Sequence, residues 1–111
     1  MQKIQIVFTD LDGTLLKNDK SISNADFDTL ERLREMGIYI VVATGRSLIS
    51  AQHVLDDQFP ADYIIFSLGT GICEWKTKKI LYARHLEGTE VNEIAQVFMK
   101  DKVAFTIQQP T

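Results

Sequence analysis

Asp10 and Asp12 stand two residues apart behind a run of apolar, β-branched residues, and Gly13 follows them. In an extended stretch, residues i and i+2 point the same way, so both carboxylates would face one crevice. They repel each other unless a cation or a shared proton intervenes. A hard divalent ion such as Mg²⁺, which prefers oxygen ligands, would resolve that repulsion. The same pair could divide labour, one acid as nucleophile and the other as proton donor and acceptor. Gly13 would let the chain turn sharply and bring backbone N–H groups near an anion. A second group, Thr44-Gly45-Arg46, adds a hydroxyl, an accessible amide and a cation. Anion donors beside a carboxylate–metal pair suit phosphoryl transfer, where catalysis is mostly positioning and charge stabilisation. The plain alternative is turn chemistry, because Asp-Gly at a strand end is an ordinary turn signal.

The elements that must position these residues are legible in the pattern. Residues 4–9 are apolar and β-branched and end in the Asp12-Gly13 turn, which predicts a strand. Ser23 suits a helix N-cap with Asp26 three residues on. Phe27, Leu30, Leu33 and Met36 recur at near-helical spacing. Asp28 and Arg32 form a favourable i,i+4 pair, and Gly37 stands where a helix C′ glycine belongs. Residues 38–43 form a short continuous apolar run, as in a parallel strand buried on both faces. Ser47 can cap a second helix carrying Leu48, Ala51, Val54 and Leu55 on one face, with Pro60 beyond its end, and residues 62–67 read as a third strand. Strand, helix, strand, helix, strand implies an α/β fold with a parallel sheet. In such sheets ligands bind beyond the carboxyl ends of the strands, which is where Asp10, Asp12, Thr44 and the Ser67–Thr70 stretch fall.

The pattern then changes. Residues 72–75 and 80–83 flank Lys76-Thr77-Lys78-Lys79 and predict an antiparallel hairpin with a solvated lysine turn. Trp75 is expected as a cross-strand partner in that hairpin and Cys73 as a packed residue. Thr89 can cap a third helix with Val91, Ile94, Ala95 and Phe98 on one face, and residues 103–107 read as a further strand. His53 is expected at the surface of the second helix and His85 as a hinge residue. Gly69-x-Gly71 opens no helix and lacks the third glycine of a dinucleotide fingerprint.

The chain has 111 residues, one domain or part of one. Hydrophobic residues make up 45% and charged residues 24%, which excludes disorder by composition. Twelve Lys and Arg against fifteen Asp and Glu give a net charge of −3, so no basic nucleic-acid footprint exists and no nucleic-acid partner is expected. Cys73 is the single cysteine, so an intrachain disulfide is excluded and a reducing compartment fits. With no apolar run near the ~20 residues of a membrane span and no signal-peptide pattern at the N-terminus, the expectation is a cytoplasmic protein without a membrane partner.

The stretch VFTDLDGTLL, residues 7–16, resembles motif I of the haloacid dehalogenase (HAD) superfamily of phosphohydrolases, and VVATGRS, residues 41–47, resembles motif II. The order of elements, with IIFSLGTGI followed by a hairpin and a helix, is similar to the Cof-type sugar phosphatases, which carry a type II cap after the third strand. The resemblance implies a three-layer, Rossmann-like core and assigns residues 1–84 to its N-terminal half and 85–111 to the start of an α+β cap. It implies Asp10 as the nucleophile that takes the phosphoryl group and Asp12 as general acid and then base. Mg²⁺ would be held by the Asp10 carboxylate and the Asp12 backbone carbonyl. Thr44 and Gly45 would bind the phosphoryl oxygens, Gly13 in the loop after the first strand would join them in binding phosphate, and Arg46 would lie near the substrate. The implied substrate is a small phosphorylated metabolite.

Two departures stand against the pattern. Leu68-Gly69-Thr70 occupies the place of Asn-Gly-Ala, and Leu68 cannot make that asparagine's polar contacts. No Gly-Asp dipeptide for motif IV and no matching motif III lysine occurs, so motifs I and II alone are present. Two other readings therefore stand beside the phosphatase: a non-catalytic remnant with at most Mg²⁺ or phosphate binding, and a two-component receiver-like domain. The receiver requires an acid at the end of the third strand, where Phe66-Ser67 stands. In the superfamily's core the motif IV strand lies beside the first strand. Without it, residues 4–9 become an apolar sheet edge, and self-association through that strand is expected.

Overall fold

The computed structural model describes residues 2–109. Five strands form one sheet in the order β1 (Ile6–Thr9), β2 (Tyr39–Ala43), β3 (Tyr63–Phe66), β4 (Gly71–Glu74) and β5 (Ile80–Ala83). The β1–β2 and β2–β3 pairs are parallel. Parallel neighbours need crossover connections, which carry α1 (Asn24–Glu35) and α2 (Leu48–Val54). The expected hairpin forms from β4 and β5 and joins the same sheet, β4 antiparallel to β3. The sheet is therefore mixed, parallel through β3 and antiparallel beyond it.

Local chemistry sets the element ends. The Ser23 hydroxyl accepts the Asp26 N–H at 3.1 Å and starts α1. Gly37 takes the left-handed φ of +81° that closes it, and the Ile38 N–H returns to the Leu33 carbonyl at 3.1 Å. The Ser47 hydroxyl accepts the Ser50 N–H at 3.2 Å and starts α2. Ile40, Val41 and Val42 are all buried, as a strand covered on both faces requires. Leu30 of α1, Leu48 of α2, Ile40, Val42, Ile64 and Phe66 belong to one core cluster. Gly71 is required there, because a Cβ at that position would lie 2.1 Å from the Phe66 ring.

Four expectations are corrected. Thr89 does not cap the third helix. α3 (Gly88–Lys100) begins earlier, with Glu87 at its N-cap and the Val91 N–H donating to the Glu87 carbonyl. Residues 103–107 form no strand. Lys102 turns the chain at φ +56°, the Val103 N–H donates to the Phe98 carbonyl at 2.9 Å, and the Phe105 ring packs 5.5 Å from that of Phe98. A strand exists by pairing, and among the described residues none pairs with this segment. Trp75 is a core anchor just past β4 and not a cross-strand partner in the hairpin. It is 1% exposed, and its Nε1–H donates to the Asp56 carbonyl at 3.2 Å. Lys78 consequently leaves the solvated turn, lies 3.5 Å from the Trp75 ring centroid and pairs with Asp57 at 3.2 Å.

α3 buries none of its residues. The radius of gyration, 16.8 Å, exceeds the ~13 Å of a compact domain this long. The segment from α3 to Gln109 projects from the sheet, and a cleft of about 1110 Å³ opens between them.

Candidate active site

β1 and β2 run parallel with Thr9 opposite Val42, so the two motif segments leave the sheet at the same end. Leu11 is fully buried while Asp10 and Asp12 on either side of it are exposed. One apolar anchor thus turns both acids outward. The Leu15 and Leu16 N–H groups donate to the Leu11 carbonyl at 3.1 and 2.8 Å. Gly13 takes φ +74° within that turn, a conformation only glycine adopts at little cost.

The two carboxylates have different surroundings. Asp10 Oδ1 accepts the Leu11 N–H at 2.7 Å. Asp12 is gripped by Arg46, whose Nε donates to Oδ2 at 2.7 Å and whose Nη2 donates to Oδ1 at 2.8 Å. Lys20 adds a bond to Asp12 Oδ1 at 3.2 Å. The remaining arm of Arg46, Nη1, donates to the Ser50 hydroxyl at 2.8 Å. These bonds, that of Arg46 foremost, hold the Asp12 carboxyl well below the usual carboxylate range. The Arg46 guanidinium is pushed up in turn by the Asp12 carboxylate.

Thr44 is 6% exposed, and its hydroxyl accepts the Arg46 N–H at 3.1 Å. Among the described residues no acceptor takes its own proton, so the hydroxyl can also donate. The loop after β3 docks on this segment. The Ser67 N–H donates to the Arg46 carbonyl at 2.7 Å and the Leu68 N–H to the Thr44 carbonyl at 3.3 Å. The Leu68 side chain lies over Gly45, whose Cβ, if it had one, would stand 3.1 Å from Leu68 Cδ2.

The structure therefore brings Asp12, Thr44, Gly45 and Arg46 together, with Asp10 at the adjoining strand end. Arg46 is at the site, but its guanidinium is bound to Asp12 and Ser50 and is not a free cation. Lys20 and Ser50 were not singled out in the sequence. Ser50 carried a usable signal, since it stands four residues after Arg46 at helical spacing. Lys20 carried none, because its reach to Asp12 depends on the loop's path. His53 is exposed, as expected, and His85 lines the cleft. Among the described residues no three His, Cys, Asp or Glu side chains stand together as a metal site, and no helix is long and apolar enough to cross a membrane.

Residues 7–110 match the haloacid dehalogenase-like hydrolase family. The chain belongs to that family. This membership, with no acid at the end of β3, removes the receiver reading. The chain is 26% identical over 90 residues to a 5-amino-6-(5-phospho-D-ribitylamino)uracil phosphatase of Bacillus subtilis, covering 76% of this chain and 35% of that protein. It is 38% identical over 68 residues to an HMP-PP phosphatase of Shigella flexneri, covering 61% of this chain and 25% of that protein. Among solved structures, a phosphatase of the HAD superfamily from Bacteroides thetaiotaomicron superposes with a TM-score of 0.77 at 25% identity, covering 89% of this chain and 36% of that one. A HAD subclass IIB sugar phosphatase gives 0.69 at 26% identity, covering 87% and 38%. The chain spans about a third or less of the length of these curated relatives.

Proposed function

We propose that this chain carries the nucleophile-bearing part of a phosphohydrolase of small phosphorylated metabolites. In this reading residues 1–84 are the N-terminal half of the core and residues 85–111 the start of a cap. The observation that carries the proposal is the shared strand end, where an exposed Asp10 stands beside the Thr44-Gly45 donors and a clamped Asp12. Family membership and relatives named as phosphatases of phosphorylated small molecules support it.

Asp10 is the acid free to attack phosphorus, because its one hydrogen bond among the described residues is the Leu11 N–H on Oδ1. Attack would transfer the phosphoryl group to the Asp10 carboxylate. Thr44 Oγ1 and the Gly45 N–H would donate to the phosphoryl oxygens. Asp12 would serve the leaving group and then the hydrolytic water. In its present clamp it is an ionised acceptor only, so giving a proton requires Arg46 to let go and the carboxylate first to take a proton from solvent. The Asp10 carboxylate and the Asp12 carbonyl are the hard oxygens that would hold Mg²⁺. Mg²⁺ would supply charge neutralisation at the phosphoryl group. Those two oxygens fill only part of an octahedral shell, so binding of the metal by this chain alone is expected to be weak.

The test is an amide NMR titration of the chain with inorganic phosphate in the presence of Mg²⁺. Saturable shifts at Gly13, Thr44 and Gly45 are expected. Shifts confined to other regions, or none, would overturn the reading.

A further inference from the structure

Among the described residues Leu68 is the most exposed large apolar one, at 88%. It also sits in the left-handed region, with φ 57° and ψ 31°, and Ser67 before it has φ 49°. Two consecutive non-glycine residues in that region are strained. A strained, solvent-exposed leucine gains nothing from folding, so the conformation is imposed by its surroundings. The Ser67 and Leu68 N–H bonds to the Arg46 and Thr44 carbonyls impose it. Their effect is to lay the Leu68 side chain across Gly45, beside the donors assigned to the phosphoryl group. The residues flanking Leu68, Ser67 and Gly69, line the large cleft together with Ile94, Phe98 and Phe105, while Leu68 itself lies outside it, over Gly45.

We infer that Leu68 is a specificity-determining residue that receives an apolar or aromatic face of the substrate's leaving group. The inference rests on the phosphohydrolase reading and deepens it. A phosphate seated against Thr44 and Gly45 places its ester oxygen and the group beyond it next to Leu68. A sugar-like polyol there would leave the leucine facing hydroxyls and gain little. A planar or apolar group would remove the exposed side chain from water, and burial of apolar surface is favourable in proportion to its area.

The experiment compares phenylphosphonate with methylphosphonate, neither of which can be hydrolysed as an ester, by amide NMR titration with Mg²⁺ present. The proteins are the wild-type chain, Leu68→Asn and Leu68→Gly. Asparagine and glycine both tolerate the left-handed conformation, so the loop is kept while the apolar side chain is lost. The wild type should bind phenylphosphonate roughly tenfold more tightly than methylphosphonate. Both variants should lose that preference while their affinity for methylphosphonate stays unchanged. Their denaturation midpoints should be equal to or higher than the wild type's, since strain is relieved. A wild type that does not discriminate, or an aryl preference that survives both substitutions, overturns the inference while leaving the phosphohydrolase reading intact. If inorganic phosphate and both phosphonates fail to shift Thr44 and Gly45, both fall together.

Discussion

Arg46 holds Asp12 through a two-pronged ion pair, Nε to Oδ2 at 2.7 Å and Nη2 to Oδ1 at 2.8 Å. The partners come from different motifs, 34 residues apart in sequence. The pair ties the loop after β1 to the loop after β2. Parallel bonds of this fork type are the geometrically specific form of an arginine–carboxylate contact. Because Arg46 Nη1 also holds Ser50 in α2, the orientation of Asp12 depends on the helix behind it.

Arg46→Ala should therefore raise the Asp12 titration toward the ordinary value of ~3.9. Lys20→Ala should raise it less, since Lys20 is the weaker partner. Carboxyl ¹³C NMR of Asp12 reads both. The sign for stability follows. A depressed folded-state value contributes stability above the unfolded value, and that contribution is lost as pH falls through the folded one. The wild type should thus keep its fold to lower pH than Arg46→Ala, by a small margin that high salt reduces, because the pair is exposed. An Asp12 that titrates equally low in Arg46→Ala would contradict the clamp.

Trp75 is the only tryptophan and is almost completely buried against Asp56 and Lys78. Trp75→Ala should cost about 3–5 kcal/mol, read as a lower urea midpoint. Lys78→Met should cost less, about 1–2 kcal/mol, the range of a partly desolvated cation–π contact. A Trp75→Ala chain as stable as the wild type would place the anchor of the hairpin elsewhere.

Among the described residues β1 pairs with β2 alone, and Ile6 and Phe8 on one of its faces are 43% and 59% exposed. Unpaired edges of this composition recruit further strands. The 111-residue chain is expected to sediment as a dimer or larger, and Phe8→Lys to shift it toward monomer. A monomeric wild type at micromolar concentration would refute edge pairing.

Most of the parallel half of the fold was legible because its signals are local. Ser23 and Ser47 as caps, Gly37 as a stop and the continuous apolar run of β2 each act within a few residues. The Asp10, Asp12 and Thr44-Gly45-Arg46 groups were legible from type and spacing once the strands were placed. What the sequence hid is what depends on distant partners. Trp75 read as a hairpin residue because nothing local announces the Asp56 carbonyl it reaches. Residues 103–107 have strand composition, yet pairing requires a neighbour, and Phe98 captures Phe105 instead. The Arg46–Asp12 clamp was invisible because each residue alone reads as a free charge.

The central claim is that Asp10 is the phosphoryl acceptor. Beryllofluoride, which adds to a carboxylate as a mimic of its phosphorylated form, tests it most directly by ¹⁹F NMR with Mg²⁺ present. A protein-bound resonance in the wild-type chain is expected, retained in Asp12→Asn and abolished in Asp10→Asn. A bound resonance that survives Asp10→Asn, or none in the wild type at saturating beryllofluoride and Mg²⁺, would contradict the account.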